Sequence, residues 1–171
     1  MELDLGICRL RSWRQSDLAS LVRHANNRRI WLNLRDMFPS PYTDEAGRLW
    51  LAHVTTASPQ TNFAIEVERA AVGGIGFIPG RDVERISAEV GYWLGEPYWG
   101  RGIATAAVGA LSDFAFANFD LHRLFALPFA DNLASRRVLE KAGYTLEAIL
   151  RTSAVKDGRI LDQALYSKTR A

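Results

Sequence analysis

Gly100 and Gly102 flank Arg101, directly before a stretch with the apolar spacing of a helix that begins at Ile103. Glycine lets the backbone turn so that several free N–H groups point to one place, and the helix dipole adds positive potential there. The guanidinium of Arg101 adds a full positive charge beside those groups. This combination predicts an anion site, most naturally for a phosphate or pyrophosphate group.

The glycine pattern alone does not identify the ligand. A dinucleotide-binding fingerprint would have a third glycine where Thr105 stands, and its acidic residue would end the next strand, whereas Asp120 precedes it. The lysine and hydroxyl residue of a P-loop are also missing. A tight strand-to-helix turn without any ligand therefore explains these residues equally well.

A strand and a helix must hold this loop in place. Residues 89–94 are rich in alternating β-branched and aromatic side chains, which predicts a strand that ends before Pro97. From residue 103 to about residue 119, apolar side chains recur at the spacing of a helix. The loop should thus connect the end of a strand to the N-terminus of a long helix.

The neighbouring segments predict a mixed α/β sheet. Strands at residues 63–68, 72–78 and 86–94 are joined by short turns and form an antiparallel meander. The strand at residues 123–130 follows a helix, so it must run parallel to strand 86–94 through a right-handed crossover. Pro128 cannot donate a ladder hydrogen bond, so pairing should fail near it. Further predicted elements are strands at residues 3–13, 144–152 and 160–169 and helices at residues 17–26, 44–57 and 133–141.

Composition excludes several classes of protein. With 171 residues, 48% of them apolar, the sequence predicts one folded domain over residues 1–171. A net charge of +2 gives no strong attraction to nucleic acid or to a membrane, and three scattered histidines form no metal site. No apolar run reaches the ~18 residues of a membrane span. The single Cys8 and the lack of a signal-peptide pattern favour a cytoplasmic protein.

Two blocks of this sequence resemble the GNAT N-acetyltransferases, and most closely their RimJ and RimL ribosomal-protein branch. In the first block, Gly102 and Ala104 match the end of the pattern Gln/Arg-x-x-Gly-x-Gly/Ala, and Trp99 occupies the Gln/Arg position, as is usual in that branch. The second block, residues 132–144, resembles the Asn-x-x-Ser segment of the family, which ends in Gly-Phe or Gly-Tyr. Residues 33–43 also look like that branch.

The resemblance implies the GNAT acyltransferase fold and acetyl-CoA as the cosubstrate, without a metal. Strands 86–94 and 123–129 should splay apart, so that the pantetheine arm lies between them. The arm is expected to contact the backbone of Tyr92, Trp93 and Leu94, and Asn132 is expected to contact the cofactor unless it serves only as a helix N-cap. The residues expected to hold the pyrophosphate end are Trp99, Gly100, Arg101, Gly102, Ile103, Ala104 and Thr105.

Acetyl transfer to an amine needs a neutral amine, a polarised thioester carbonyl and a stabilised thiolate. Glu89 is the predicted base, acting directly or through water, and a solvent-facing strand glutamate is the alternative interpretation. A backbone N–H near Tyr92 could polarise the carbonyl. Many family members use a tyrosine at the position of Leu139, so Ser135 is left to hydrogen-bond the sulfur, unless it only bonds its own helix backbone.

The acceptor is the least determined part of the prediction. Residues 33–42 contain two prolines and no regular period, which indicates a loop. By resemblance this region lines the acceptor pocket, although packing between two helices would explain it equally well. The expected acceptor residues are Trp31, Asn33, Arg35, Phe38 and Tyr42.

Three functions are compatible with these residues. The first hypothesis is acetylation of a protein N-terminal amine, as in RimJ and RimL. A small amine such as an aminoglycoside or a polyamine is an alternative acceptor, and a non-catalytic CoA-binding sensor is an alternative of another class. The sequence also leaves a homodimer open.

Overall fold

A computed structural model describes residues 2–170, and the strands and helices follow one another largely in the order that the sequence predicts. The eight strands of this range are β1 Glu2–Asp4, β2 Arg9–Ser12, β3 Asn62–Val67, β4 Ala70–Pro79, β5 Ser87–Leu94, β6 Arg123–Ala126, β7 Thr145–Lys156 and β8 Arg159–Thr169. Its α-helices are α1 Leu18–Ala25, α2 Arg28–Trp31, α3 Asp44–Thr56, α4 Ile103–Asn118 and α5 Leu133–Lys141.

The strands form one mixed sheet in the order β1-β2-β3-β4-β5-β6-β8-β7. Strands β1 to β5 pair antiparallel, which confirms the predicted meander. Gly74 on β4 lies beside Trp93 on β5, and a Cβ at Gly74 would lie only 2.7 Å from the Trp93 indole nitrogen. Glycine at this position therefore makes room for a large side chain near the end of β5.

Strand β5 pairs parallel with β6, as the crossover rule predicts. The recorded partners are Ser87 with Arg123, Ala88 with Leu124 and Glu89 with Phe125, and the pairing goes no further. Beyond Glu89, strand β5 continues for five residues while β6 ends at Ala126, two residues before Pro128. The two strands thus separate, and the edge of β5 that faces the gap has no strand partner among residues 2–170.

Side chains of β5 alternate between two apolar cores, one on each face of the sheet. Ala88, Val90 and Leu94 are buried in the core that also contains α4 and Leu139 of α5. Trp93 packs against the other core, which is formed with α1 and α3. Each face of the separated strands is therefore covered by a different set of helices.

Several predicted elements differ from the structure, and strand β7 runs four residues beyond its predicted end at residue 152. Residues 3–13 form two strands instead of one, because the chain turns at Gly6, whose φ is +78°. The short helix α2 was not predicted at all. Strand β6 is shorter than the predicted 123–130, although Phe129 still makes an isolated bridge to Gln163. In residues 2–170, no helix is both long enough and apolar enough to cross a membrane.

Candidate active site

The N-terminus of α4 offers a group of free backbone N–H donors. Gly102 is the N-cap with φ +80° and ψ −4°, and Gly100 has φ +74°, so both adopt the left-handed conformation that favours glycine. Within residues 2–170, the amides of residues 100–105 have no hydrogen-bond acceptor in the protein. Space near Gly100 is open, since a Cβ there would have nothing within 4 Å. The free amides and the open space are compatible with a phosphate group, and the phosphate site stays a prediction.

Side chains of the loop make hydrogen-bond and cation–π contacts with neighbouring residues. Trp99 donates its indole N–H to the carbonyl oxygen of Leu94 at 2.7 Å, and the guanidinium of Arg29 lies 5.1 Å from the centre of its ring. Arg101 is exposed and lies 5.4 Å from the ring centre of Tyr98. Trp99 therefore has no N–H to offer a cofactor, and only its exposed ring remains available.

The remaining predicted cofactor residues have different environments. The Ile103 side chain is buried in the core, so only its backbone can face a ligand, whereas Ala104 and Thr105 are half-buried. Trp93 packs edge-on against Phe38, with 5.7 Å between the ring centres. These environments do not block the predicted backbone contacts with the cofactor, and those contacts stay a prediction.

Helix α5 carries the second block. Asn132 caps this helix, because its Oδ1 accepts a hydrogen bond from the Ser135 amide at 3.1 Å. The Ser135 hydroxyl oxygen lies 2.7 Å from the Tyr92 hydroxyl, which reaches across from β5. Leu139 is fully buried in the core. The serine at this end of α5 is thus paired with a phenol that sequence reasoning had assigned only a backbone contact.

Burial governs the protonation of that phenol. Loss of hydration raises the pKa of Tyr92 well above its ordinary value, the hydrogen bond with Ser135 lowers it, and the phenol of Tyr144 raises it slightly. The Tyr92 hydroxyl is therefore neutral throughout the physiological range. It keeps its hydrogen and can act as a donor.

Glu89 lies at the point where β5 and β6 separate. Its Oε1 accepts a hydrogen bond from Arg35, which ties the base candidate to the acceptor loop. Oε2 has no hydrogen-bond partner among the described residues. Since side chains alternate along a strand, Glu89 and Tyr92 point to opposite faces of the sheet. A carboxylate therefore flanks the gap on one face, and the Tyr92–Ser135 pair flanks it on the other.

The loop that follows α2 covers the carboxylate side of the gap. Lys156 at the end of β7 is almost fully buried, bonds Asp36 at 2.7 Å, and lies 3.6 Å from the ring centre of Trp31. This lysine fastens the loop to the β7–β8 hairpin. Sequence reasoning missed it, because only the fold brings residue 156 next to residues 31 and 36.

A cavity of about 330 Å³ lies beside this loop. Of the five predicted acceptor residues, Arg35 lines this cavity. Trp31 contacts Lys156, which is itself a lining residue. Asn33 is exposed and donates to the carbonyl oxygen of Arg29 at 2.9 Å. The cavity is lined by Leu34, Arg35, Asp36, Leu127, Phe129, Ala154, Val155, Lys156 and Gln163.

Tyr42 and Phe38 have mainly a packing role. Tyr42 is buried in the core formed with α1 and α3, and burial raises its pKa to about 12. Phe38 packs against it with ring centres 4.9 Å apart. One part of the loop therefore packs between helices while another part lines the cavity, and its role in holding the acceptor stays a prediction. No group of three or more histidine, cysteine and carboxylate side chains in residues 2–170 could hold a metal ion.

Comparison with known proteins agrees with this geometry. The model of the acetyltransferase (GNAT) domain family matches residues 8–145. An uncharacterized N-acetyltransferase, p20 of Bacillus licheniformis, is 35% identical over 86 residues, which are 50% of this chain and 48% of that protein. The ribosomal-protein-serine acetyltransferase of Escherichia coli is 31% identical over 96 residues, 55% of this chain and 54% of that protein. The matched segments thus span about half the length of these curated relatives.

One solved structure extends the likeness over nearly the whole chain. Mycobacterium smegmatis RimJ, solved in complex with CoA-disulfide, has a TM-score of 0.81 and 27% identity, with 96% of this chain and 82% of that chain covered. The family match and the fold similarity both include the strands that border the gap. The chain therefore belongs to the GNAT acetyltransferase family, as its two sequence blocks predicted.

Proposed function

We propose that this protein is an acetyl-CoA-dependent N-acetyltransferase whose reaction takes place in the gap between β5 and β6. The observation that carries the proposal is the placement of Glu89 on one face of the gap and Ser135 on the other. When bound, acetyl-CoA supplies the activated acetyl group and the thiolate that leaves. The amides of residues 100–105 would hold its pyrophosphate, and the free edge of β5 would hold its pantetheine arm.

Glu89 accepts the proton that the amine loses on attack. Its Oε2 is free to receive this proton, while Arg35 holds Oε1 and so fixes the direction of the carboxylate. A general base must lie within hydrogen-bond reach of the proton that it takes, directly or through one water molecule. Ser135 on the opposite face donates a hydrogen bond to the thiolate, and the N-terminus of α5 favours the negative charge there.

The proposed acceptor is the α-amine of a protein, such as a ribosomal protein. A free α-amine has a pKa near ~7.7–8.0, so only a modest base is needed, whereas a lysine amine, near ~10.4, needs a stronger one. The similarity to the Escherichia coli ribosomal-protein-serine acetyltransferase supports this choice. A polyamine would favour free carboxylates, yet Glu89 and Asp36 are already paired with Arg35 and Lys156.

Thiol release from acetyl-CoA, measured with a panel of acceptors, tests this proposal. The panel consists of peptides with a free N-terminus, the same peptides with a blocked N-terminus and one internal lysine, and spermidine. We expect release with free N-termini and little release with the other two groups, with the acetylated nitrogen located by mass spectrometry. Faster release with spermidine would refute the proposed acceptor, and tight CoA binding without release from any amine would favour the sensor.

A further inference from the structure

Two phenols in this fold each pair with a serine hydroxyl, but only one of them faces the candidate active site. The Tyr92 hydroxyl lies 2.7 Å from Ser135 Oγ and 3.1 Å from the Ser135 carbonyl oxygen. The Tyr144 hydroxyl lies 2.9 Å from Ser112 Oγ, inside the core beneath α4. The Tyr144–Ser112 pair serves as a comparison for the Tyr92–Ser135 pair. Both consist of a phenol and a serine hydroxyl, but the Tyr144–Ser112 pair is buried in the core.

A serine hydroxyl has one hydrogen to donate and two lone pairs with which to accept. In a helix, this hydrogen commonly goes to a backbone carbonyl of the preceding turn, as it does in Ser112, which donates to the carbonyl of Val108 at 2.7 Å. Ser135 lies in the first turn of α5, and its recorded hydroxyl partner is Tyr92. The phenol has one hydrogen and two acceptors within reach, Ser135 Oγ at 2.7 Å and the Ser135 carbonyl oxygen at 3.1 Å. If the hydrogen goes to the nearer one, Ser135 Oγ accepts, and the serine hydrogen is left free to point elsewhere.

We propose that Tyr92 is a positioning residue that donates its hydroxyl hydrogen to Ser135 Oγ and so directs the Ser135 hydroxyl towards the thiolate. The inference rests on the proposed function, because it assigns the thiolate to this face of the gap. Leu139 occupies the position of the tyrosine that many family members carry on this helix, and it is buried and has no hydroxyl. The phenol of Tyr92 therefore acts near the sulfur from β5 and not from α5. Hydrogen bonds in a chain also polarise one another, so the phenol makes Ser135 a better donor.

The phenol acts as a donor and not as an acid. A thiolate of pKa near ~8.5 does not take a proton from a serine or from a phenol whose pKa is raised by burial. The amine nitrogen forms a bond to the acetyl carbon and loses its proton to Glu89. The carbon–sulfur bond breaks with both electrons on sulfur, and the sulfur leaves as a thiolate that the Ser135 hydroxyl stabilises. No proton moves along the Tyr92–Ser135 pair, and solvent protonates the thiolate after release.

Titration of the thiol of bound CoA tests this inference without any amine. Thiolate absorbance is followed against pH, with the complex of a CoA analogue that lacks the sulfur as the blank. In the wild-type protein we expect a thiol pKa below ~8.5. Tyr92→Phe should return this pKa towards the free value, as should Ser135→Ala, while the Kd of the sulfur-free analogue stays unchanged.

A double-mutant cycle shows whether the two residues act as one unit. Tyr92→Phe should lower kcat by about threefold to tenfold, which is the usual effect of one lost hydrogen bond between neutral groups. In a Ser135→Ala background the same change should have no further effect on kcat or on the thiol pKa. Tyr144→Phe is the matched control, and should lower the melting temperature while leaving the thiol pKa at its wild-type value.

Each outcome decides the inference. A wild-type thiol pKa in Tyr92→Phe, or additive losses in the double variant, would overturn it. If Tyr92→Phe does not fold, a wild-type thiol pKa in Ser135→Ala would overturn it equally. A lowered thiol pKa together with no acetyl transfer to any amine would refute the proposed enzyme activity and still support the contact with the thiolate.

Discussion

Glu89 is the residue on which amine activation depends in the proposed reaction. Glu89→Gln keeps the shape of the side chain and its bond to Arg35 but removes the ability to take a proton. We expect kcat to fall by about a hundredfold or more, the usual contribution of a positioned base. The Kd of acetyl-CoA should change little, because the proposed cofactor contacts are backbone groups of β5 beyond Glu89 and of residues 100–105, and the Glu89 side chain is not among them. Steady-state kinetics and calorimetric titration measure the two quantities.

Arg35 provides the control for this experiment. The Arg35–Glu89 pair is largely exposed on the arginine side, so Arg35→Ala should change the free energy of unfolding by less than ~1 kcal/mol. It should raise the KM of the acceptor, since Arg35 lines the cavity, and it should lower kcat less than Glu89→Gln does, since the carboxylate loses its fixed direction but can still take a proton. If Glu89→Gln turns over at the wild-type rate, the glutamate has only a structural role.

The sequence allowed residues of the candidate site to be proposed, but not the partners of their side chains. Glu89 was proposed as a carboxylate on the strand expected to border the thioester, and Ser135 because it lies in the second sequence block. The hydroxyl of Tyr92 could not be placed, because its partner is 43 positions away in the chain and only the packing of α5 on β5 brings them together. The hydrogen bond of the Trp99 indole N–H could not be predicted either, since its acceptor is a backbone carbonyl.

The N-terminus of α4 is the element on which cofactor binding depends. Acetyl-CoA should raise the melting temperature of the wild-type protein, because a ligand that binds only the folded state stabilises it. Gly102→Val should abolish this increase, since its side chain would project into the space beside the amides of residues 100–105. The substitution also strains a residue with φ +80°, by about 1–2 kcal/mol.

Gly109, in the middle of the same helix, separates these two effects. A Cβ at Gly109 would meet nothing within 4 Å, and its φ is ordinary for a helix. Gly109→Ala should therefore raise the free energy of unfolding by about 0.5–1 kcal/mol. The temperature increase caused by acetyl-CoA should be the same as in the wild type. An undiminished increase in Gly102→Val would remove the pyrophosphate assignment.

Strands β6, β7 and β8 are connected by a cluster that predicts a dependence on pH. Glu147 on β7 accepts hydrogen bonds from Arg123 on β6, at 2.7 and 2.5 Å, and from the Ser167 hydroxyl on β8, at 2.5 Å. The Arg123 guanidinium, and then the Ser167 hydroxyl, hold the pKa of Glu147 at about 2. In the unfolded chain, the carboxyl has a pKa near ~4.3.

Because the folded pKa is the lower one, the ionised form of Glu147 stabilises the fold above about pH 4.3, and this stabilisation is lost as pH falls towards about 2. Both side chains are about one-third exposed, so we expect less than ~1 kcal/mol. Urea unfolding of Glu147→Gln should show a deficit at neutral pH that disappears near the acid end. If Glu147→Gln were still less stable than the wild type near the acid end, the loss of stability would come from packing and not from charge.

Boundaries of the elements were predictable where a residue type enforces them. Pro128 ended β6 near the expected place, and Thr43 caps α3 by accepting from the Ala46 amide at 3.2 Å. The break between β1 and β2 was missed because Leu3, Leu5 and Ile7 keep the alternation of a strand across Gly6, where the chain turns. Helix α2 was missed because four residues are too few to show a helical period.

The sheet as a whole separates the proposed acceptor side of the molecule from the proposed cofactor side. Helices α1 and α3 cover one face, α4 and α5 cover the other, and the gap between β5 and β6 is where the two sides meet. This arrangement follows from chain order, because a crossover through α4 must place β6 beside β5. The contacts that fix the loop after α2, above all that of Lys156, were not visible in the sequence.

A buried cluster attaches the acceptor-side helices to the sheet. Arg11 on β2 donates two hydrogen bonds of 2.8 Å to Asp17, just before α1, and a third to Glu66 on β3. Arg11 is 2% exposed. Removing one partner from a buried ion pair leaves an uncompensated charge, at a cost of about 3–5 kcal/mol. The acceptor-side layer should thus depend strongly on this one guanidinium.

Arg11→Met preserves most of the side-chain volume and removes the charge. We expect it to lower the free energy of unfolding by about 3–5 kcal/mol, measured by urea unfolding. Arg9→Met is the matched control on the same strand. The Arg9 side chain is 43% exposed and pairs with Glu2 at 3.6 Å and Asp4 at 3.3 Å, so less than ~1 kcal/mol should be lost.

A third variant identifies the physical cause of that loss. Adding Asp17→Asn and Glu66→Gln to Arg11→Met removes the two carboxylates that the lost guanidinium leaves unpaired. Neutral amides can still hydrogen-bond, and the side-chain oxygen that Asp17→Asn retains can accept from the Arg14 amide, as the Asp17 carboxylate does at 2.8 Å. The triple variant should therefore be more stable than Arg11→Met alone. Equal stability of the two would mean that Arg11 contributes through packing, and that buried charge does not hold the acceptor-side layer to the sheet.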